Sequence, residues 1–296
     1  MVKGLIINKF RGDKSILDPG VAMLEEKCKI PVVGVAPYMN IQIEDEDSLT
    51  ERFDRHQEVG VIDMAVIRVP RISNFTDFNP FESIPGVSLR YVQHPSDLKQ
   101  PDVIFLPGTK NTMDDLKWLR ESGMEALILK AAASGTLIFG ICGGYQIMGQ
   151  EVCDPNHVES NIERLPGLGL LPITTQMEGE KVTRQVKFSF LNTQSVCEGY
   201  EIHMGATTPV ENAKKASLNK LEDGREDGYF VSEKCFGTYM HGILDNGVVI
   251  DYLLSPYADK LSDTPFDFKA FKEEQYNKLA DHVRKHVDMD LVYKIM

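Results

Sequence analysis

The fold of this protein is decided by one stretch of its chain, Thr136-Leu137-Ile138-Phe139-Gly140-Ile141-Cys142-Gly143-Gly144-Tyr145-Gln146-Ile147-Met148-Gly149. Residues 137–139 form a short apolar run with a β-branched isoleucine, and such a run predicts a buried strand. Gly140, Cys142 and Gly144 then make the pattern G-x-C-x-G, which is the cysteine form of the nucleophile elbow. We therefore expect a sharp turn from strand to helix that presents Cys142 at the edge of a sheet.

Cys142 is the candidate nucleophile. A cysteine in this turn lies beside a helix N-terminus, whose positive dipole end favours the thiolate over the thiol. The flanking glycines lack side chains that would collide in so tight a turn. A free cysteine is more often a small buried core residue. Here the strand, the spaced glycines and the following helix agree with one another, so the sequence predicts a nucleophile.

Composition and charge exclude several classes of protein. The 296 residues are 42% hydrophobic and 26% charged, which is ordinary for one large or two modest globular domains. The net charge of −12 argues against a nucleic-acid partner, and no apolar run is long enough for a membrane span. The five cysteines are widely spaced without C-x-x-C, which favours free thiols and a cytoplasmic location over disulfides or structural zinc.

The first part of the chain predicts a β-α-β unit. Residues 4–10 and 30–37 have the pattern of strands, and residues 18–28 contain helix formers. This unit is too short to bury its own faces. We interpret residues 1–55 as the end of a parallel α/β domain followed by a linker, in which the acidic residues 44–47 are solvated or begin a helix.

Residues 56–260 predict a second α/β domain. Strands alternate with helices in its first half, which predicts a mostly parallel sheet flanked by helices, with ligands at the carboxyl ends of the strands. One helix start carries a weak capping box, Thr112 with Asp115. Its second half is richer in strands and should be more antiparallel. Residues 261–296 predict a helical extension, whose apolar stripe could serve a homodimer interface or an ordinary core.

A thiolate nucleophile needs a base, and seven histidines are available. His241 follows a predicted strand and precedes a glycine, and His203 is the other candidate on a strand. Spacing alone does not choose between these two. His282 and His286 are spaced i, i+4 on the last helix, as metal ligands can be. Because no third ligand accompanies them, we predict a solvated helix face and no metal site.

Acyl transfer also needs hydrogen-bond donors for an oxyanion. The amide of Gly143, directly after the nucleophile, is the first candidate. The backbone at Gly108 and Thr109 is the second, because glycine permits an unusual φ there. Residues 108–110 superficially resemble a phosphate loop, but the sequence lacks the full G-x-x-x-x-G-K-[ST] pattern. We therefore expect these residues to bind neither ATP nor another cofactor.

Several motifs together resemble one family. The nucleophile motif at residues 140–146 is similar to that of class I glutamine amidotransferases, which implies a flavodoxin-like fold. Further motifs resemble the cobyric acid synthase (CobB/CobQ-type) branch of that family, and they lie at residues 7–13, 106–112, 199–205, 237–243 and 279–284. The resemblance therefore covers essentially the whole chain.

The resemblance implies a role for each matching residue. Cys142 would be the nucleophile and His241 its base. Gly108 and the amide of Gly143 would line the oxyanion hole, and Gln146 would help to hold the substrate glutamine.

Glu201 and His203 would lie near the site, in roles that the resemblance does not define. Many relatives carry a glutamate two residues after the catalytic histidine, where this chain has Ile243, a departure typical of this branch. What orients the histidine is left open, and Asp245 is the carboxylate nearest in sequence.

The resemblance implies glutamine hydrolysis that supplies ammonia for cobalamin biosynthesis. Ammonia would amidate corrinoid carboxylates, namely the b, d, e and g side chains of adenosylcobyrinic acid a,c-diamide. Members of this branch use ATP and Mg²⁺ in an N-terminal synthetase domain, most of which this sequence lacks, and the corrinoid would be reached through that domain. Two alternatives stay open: another cysteine hydrolase of the same fold, and a catalytically silent or partner-dependent fragment.

Overall fold

The computed structural model describes residues 2–41, 43, 60–214, 216–261 and 267–296. The chain divides into two compact units, a smaller one of residues 1–44 with 267–296 and a larger one of residues 45–266. The sequence predicted residues 261–296 as a separate extension, whereas the contacts group the last helices with the first strands. The predicted acidic linker at residues 44–47 lies outside the described residues.

The described residues form helices and strands that alternate as far as α5, followed by a run of strands and then the last helices. The helices are α1 (Lys14–Cys28), α2 (Asn79–Glu82), α3 (Thr112–Glu121), α4 (Met124–Ala133), α5 (Gly143–Ile147), α6 (Gly247–Leu254), α7 (Phe268–His286) and α8 (Met289–Ile295). The strands are β1 (Leu5–Phe10), β2 (Val32–Pro37), β3 (Ile62–Ile67), β4 (Val87–Val92), β5 (Val103–Leu106), β6 (Leu137–Ile141), β7 (Glu151–Cys153), β8 (Arg164–Pro166), β9 (Ile173–Phe190), β10 (Cys197–Pro209), β11 (Asn219–Leu221), β12 (Glu226–Asp227), β13 (Tyr229–Ser232), β14 (Cys235–Thr238) and β15 (Met240–His241).

The smaller unit is a parallel pair of strands, β1 and β2, packed with α1, α7 and α8. The chain after α7 returns to β2, where Asp288 N donates to Val33 O at 2.7 Å. His282 and His286, predicted on a solvated face, are instead half-buried. His282 Nε2 lies 2.9 Å from Pro37 O, so this ring contacts the end of β2.

The larger unit contains a six-stranded sheet in the order β13-β14-β6-β5-β3-β4, in which only the β13–β14 pair is antiparallel. Strands β3, β5 and β6 are buried along their whole length, as expected for strands covered on both faces. The rings of Phe105, Phe139 and Phe236 form a continuous contact in its core. The predicted α/β class and mostly parallel sheet are confirmed.

A second sheet of the larger unit is mainly antiparallel. The sequence predicted this for the second half of residues 56–260. Its strands run in the order β12-β11-β9-β10-β15. In addition, β7 pairs with β9, and β8 pairs with β7. The two long strands β9 and β10 pair from residue 173 to residue 209. The pairing of Tyr200 with His241 joins β10 to β15. Along the described residues, no helix combines the length and apolar character that a bilayer span requires.

Candidate active site

Cys142 lies in the predicted turn between strand and helix. β6 ends at the preceding residue, and α5 begins at the following one. Cys142 itself has φ +53° and ψ −112°, a strained backbone for a residue with a side chain. Its residue is 7% exposed, and its Sγ lies 3.5 Å from Ile202 O on β10. The thiol is therefore held at the carboxyl end of a central strand and faces the second sheet.

The glycines around Cys142 are required by close packing. A Cβ added at Gly144 would lie 1.9 Å from Leu106 O, and one at Gly140 would lie 2.6 Å from Met148 Sδ. Both distances are shorter than carbon atoms tolerate without movement of the neighbour. The close packing of α5 against β5 and β6 thus explains the G-x-C-x-G pattern.

We expect Gly144→Ala to lower the free energy of unfolding by about 3 kcal/mol or more, because the new methyl group meets backbone that cannot rotate away. Urea denaturation followed by circular dichroism measures this change. Gly247→Ala is the matched control, since no atom lies within 4 Å of the added Cβ. Equal stability of the two variants would contradict the packing argument.

His241 is fully buried and carries a bonded carboxylate. Its Nδ1 lies 2.7 Å from Asp77 Oδ2, and Gly242 N donates to Asp77 Oδ1 at 2.9 Å. Asp77 is itself 4% exposed. In the described part of the chain, His241 Nε2 is buried and has no hydrogen-bond partner. The imidazole is thus fixed through Nδ1, and Nε2 stays available for chemistry.

The charge state of His241 follows from its neighbours. Burial by itself lowers the pKa of His241, but the charge and hydrogen bond of Asp77, together with Cys142, outweigh burial and raise the pKa to about 10. At neutral pH the ring is therefore an imidazolium. An imidazolium beside a cysteine suits nucleophilic chemistry, because the ring can give up and take back a proton during the reaction.

Tyr200 fixes the plane of the His241 ring. The two rings stack with centroids 5.3 Å apart and an interplanar angle of 23°. The phenol oxygen of Tyr200 accepts a hydrogen bond from Asn74 Nδ2 at 2.9 Å. Between them, Tyr200 and Asp77 restrain both the tilt and the rotation of the imidazole.

Sequence reasoning missed Asp77. It pointed to Asp245, which is near the histidine in sequence, but the carboxylate on His241 Nδ1 belongs to Asp77. Asp77 lies on the 3₁₀ turn Phe75–Phe78, in the loop after β3. The available signal was its position, because polar residues beyond the carboxyl end of a parallel strand face the site of such a sheet.

A cleft of about 370 Å³ opens beside Cys142. It is lined by Ser73, Asn74, Thr109, Lys110, Thr112, Cys142, Gln146, Glu159, Lys181, Ile202, His203 and Met204. Three of the predicted site residues, Thr109, Gln146 and His203, therefore share this cleft with the nucleophile. Its residues come from the segments after β3, β5 and β6, from the loop between β7 and β8, and from β9 and β10.

Gln146 lines the cleft but has its amide bonded within the protein. Its Oε1 accepts from Thr112 Oγ1 at 2.8 Å, and its Nε2 donates to Met204 O at 2.9 Å and Tyr239 Oη at 3.1 Å. These bonds tie α5 to α3 and to the second sheet. The structure thus gives Gln146 a bracing position at the cleft, and its predicted role in holding the substrate glutamine stays a prediction.

His203 and Glu201 lie on β10 with different surroundings. The His203 ring stacks on Tyr239 with centroids 3.7 Å apart and lines the cleft. Glu201 is 4% exposed and pairs with Arg184 and Arg225. Burial opposes ionisation of Glu201, but the hydrogen bonds of His203 and Arg184 and the arginine charges lower its pKa to about 2. Both histidines therefore have a carboxylate partner, but His241 Nδ1 lies 2.7 Å from Asp77 Oδ2, whereas His203 Nε2 lies 3.9 Å from Glu201 Oε1. The choice of His241 as the base stays a prediction.

The loop after β5 lies against the residue that follows the nucleophile. Ser73 N donates to Gly108 O at 2.9 Å, which holds the loop to the neighbouring segment. A Cβ placed on Gly143 would lie 3.1 Å from Thr109 N and 2.5 Å from Thr109 Cγ2. The predicted oxyanion residues Gly108, Thr109 and Gly143 are therefore neighbours in the structure.

Opposite charges lie in the cleft. Lys110 and Lys181 supply cations and Glu159 supplies a carboxylate. Glu159 Oε2 accepts from Thr112 N at 2.7 Å, at the start of α3. Burial raises the pKa of Glu159, an effect that the hydrogen bond from Thr112 opposes. A ligand with both an ammonium and a carboxylate group would match this pattern.

The comparison with protein families decides the identification. The model of the family described as "CobB/CobQ-like glutamine amidotransferase domain" matches residues 63–249, which is more than half of the chain. The chain belongs to the CobB/CobQ-like glutamine amidotransferase family. The match spans Asp77, Cys142 and His241, so all three members of the buried cluster lie within the family domain.

Curated relatives of this CobB/CobQ-like amidotransferase chain carry one name. It is 58% identical over 299 residues to the cobyric acid synthase of Bacteroides fragilis and 54% identical over 298 residues to that of Phocaeicola vulgatus. All of this chain is covered in both alignments. The chain spans 60% of the length of each relative.

A solved structure shares the fold of this CobB/CobQ-like chain. A chain in the structure of PurLQS from Thermotoga maritima aligns with a TM-score of 0.52 and 20% identity, over 66% of this chain and 99% of that one. At this identity the likeness concerns the fold alone. It agrees with the α/β architecture predicted for class I glutamine amidotransferases.

Proposed function

We propose that this chain hydrolyses glutamine to glutamate and ammonia, with Cys142 as nucleophile and His241 as acid and base. The observation that carries the proposal is the buried pair of His241 and Asp77, 2.7 Å apart, beside a cysteine in a strand-to-helix turn. This arrangement of nucleophile, histidine and orienting carboxylate is the general device of acyl transfer. The proposal adds Asp77 as the group that holds the histidine.

The first half of the reaction forms a thioester. The Cys142 thiolate attacks the side-chain amide carbon of glutamine, and a C–S bond forms as the carbonyl oxygen becomes an oxyanion. Backbone amides of Gly143 and Thr109 donate hydrogen bonds to that oxyanion. The His241 imidazolium then gives its Nε2 proton to the amide nitrogen, the C–N bond breaks, and ammonia leaves.

The second half releases glutamate. His241, now neutral, takes a proton from water as the water oxygen attacks the thioester carbon. The C–S bond breaks, and glutamate leaves with the thiolate and imidazolium restored. Asp77 holds His241 through Nδ1 and stabilises the imidazolium at the beginning and end of the cycle.

We propose that the charges of the cleft select free glutamine as a zwitterion, with Glu159 facing the α-ammonium and Lys181 the α-carboxylate. Glu159→Gln or Lys181→Met should raise KM for glutamine about tenfold or more while kcat changes much less, because each removes a charged hydrogen bond made equally in ground and transition states. Steady-state kinetics measure both constants.

A matched control and a truncated substrate sharpen this prediction. Lys187→Met changes another lysine of β9, which is paired with Glu198 and does not line the cleft, so KM should stay unchanged. Glutaramate lacks the α-amino group, so Glu159→Gln should leave its KM unaltered. Equal losses for glutamine and glutaramate would contradict the assignment of Glu159.

We propose that the ammonia is consumed in an ATP- and Mg²⁺-dependent amidation of corrinoid carboxylates. The name of the curated relatives, cobyric acid synthase, supports this proposal. The smaller unit does not fit ATP phosphates. Asp13 Oδ1 accepts from Ser15 N at the start of α1, which puts a carboxylate at the helix end where a phosphate would bind. We therefore assign ATP and the corrinoid to a separate synthetase domain.

Glutamate release from glutamine by this chain is the direct test, combined with covalent labelling by a glutamine-analogue chloroketone. The Cys142 thiolate would displace chloride from the reagent and form a C–S bond. Turnover together with labelling of Cys142 is expected. Labelling without turnover would favour a site that depends on its partner domain, and the absence of both would overturn the proposal.

A further inference from the structure

Asp115 is a buried carboxylate directly beneath the loop that follows β5. It lies on α3, is 0% exposed, and does not line the cleft. Its Oδ2 accepts the hydroxyl of Thr109 and also Arg71 N at 3.2 Å. Its Oδ1 accepts from Arg71 Nη1 at 3.2 Å. The sequence assigned Asp115 to a capping box, but Asn111 caps α3 by accepting from Asp114 N at 2.8 Å, so Asp115 is engaged elsewhere.

The backbone pairing of this loop determines where the Thr109 amide points. Thr109 forms an antiparallel bridge with Ile72, and the hydrogen bonds are made by the flanking residues, Ser73 N to Gly108 O and Lys110 N to Arg71 O. In such a pair the central residue directs its own N–H to the opposite side. That side contains Gly143, whose added Cβ would lie 3.1 Å from Thr109 N.

Asp115 therefore bonds to both sides of the bridge. It holds the side chain of Thr109 on one segment and the backbone of Arg71 on the other. The Thr109 hydroxyl also accepts from Asn111 N at 3.1 Å, so its rotamer is fixed. A shift of the hydroxyl would carry the amide of the same residue with it, because one Cα joins them.

We infer that Asp115 is a positioning residue for the second oxyanion donor, acting through the Thr109 hydroxyl to aim the Thr109 amide at the carbonyl oxygen of the substrate. This inference rests on the proposed glutamine hydrolysis. The oxyanion exists only after the thiolate has attacked, so the Thr109 amide stabilises the transition state more than the bound substrate. Loss of its aim lowers kcat and leaves KM nearly unchanged.

The test compares Thr109→Val, Thr109→Ser, Asp115→Asn and the double variant Thr109→Val/Asp115→Asn in glutamate release. Thr109→Val and Asp115→Asn should each lower kcat by about 10- to 100-fold with little change in KM, the size of effect that a misplaced group produces. Thr109→Ser keeps the hydroxyl and should recover most of the kcat that Thr109→Val loses. The double variant should be no worse than the more impaired single variant, because both changes break one coupling.

Asp114→Asn is the matched control. Asp114 also pairs with Arg71, at 3.1 Å, but the structure gives it no contact with Thr109, so its kcat should equal that of the wild type. If Asp115→Asn fails to fold, the comparison of valine with serine at residue 109 decides alone. Unchanged kcat in Thr109→Val, or multiplicative losses in the double variant, would overturn the inference while wild-type turnover leaves the proposed function standing. A wild-type chain with neither turnover nor labelling of Cys142 would overturn the proposed function and, with it, this inference.

Discussion

Cys142→Ala should abolish glutamate release from glutamine, with a loss of about 10⁴-fold or more that leaves only background hydrolysis. The reason is chemical, since alanine cannot form the thioester and no neighbouring group can replace the thiolate. The substitution removes one buried sulfur and keeps the backbone of the elbow. Release of glutamate is measured by a coupled dehydrogenase assay, and labelling by the chloroketone is followed by mass spectrometry.

Cys235→Ala is the matched control for this substitution. Cys235 is a second part-buried thiol at the end of the same sheet, and burial raises its pKa to about 11, so it remains a thiol at neutral pH. Its replacement should preserve both turnover and labelling. Residual turnover near the wild-type rate in Cys142→Ala would remove Cys142 from the reaction.

Asp77→Asn should lower kcat by roughly 10²- to 10⁴-fold, the range expected when a triad histidine loses its orienting carboxylate. Asparagine can still accept the hydrogen bond from Gly242 N, so the loop should keep its shape. It lacks the charge that stabilises the His241 imidazolium, and its amide can donate to Nδ1 and so favour the wrong tautomer. Because Asp77→Asn can keep the hydrogen bond from Gly242 N, a lower kcat in this variant reports the lost charge beside His241 and not a collapse of the loop.

The raised pKa of His241 determines how its contribution to stability changes with pH. His241 has a folded pKa of about 10, above the ordinary value of 6.5, so its stabilising contribution is complete below about pH 6.5 and is lost as the pH rises through 10. Asp77→Asn should move this transition to lower pH. NMR titration of the His241 ring measures it without interference from the ionisation of glutamine. An unchanged histidine pKa in Asp77→Asn would contradict the role of Asp77.

The nucleophile could be predicted because its signal is local. Gly140 and Gly144 flank Cys142 within five residues, and the steric demands of the turn restrict their identity. The parallel sheet was predictable for a similar reason, since continuous apolar runs separated by helices leave few other arrangements. Both inferences depend on short-range patterns.

The orientation of the histidine could not be predicted because its signal is entirely tertiary. Asp77 and His241 are 164 residues apart in sequence and meet only when β15 pairs with β10 beside the loop after β3. The same holds for Asp115, whose i, i+3 spacing from Thr112 resembles a capping box until the bridge between Ile72 and Thr109 is formed. In both cases the short-range pattern offered a partner that is near in sequence, whereas long-range packing brings a different residue into contact.

The smaller unit joins residues 1–44 to residues 267–296, and this has a consequence for the order of assembly. During synthesis at about 5–20 residues per second, β1 and β2 emerge long before α7 and α8 exist to cover them. The entropy of closing the intervening chain grows only slowly with length, by about 0.6 kcal/mol per doubling. Within the smaller unit, β1 and β2 are therefore made before the helices that cover them and are enclosed last.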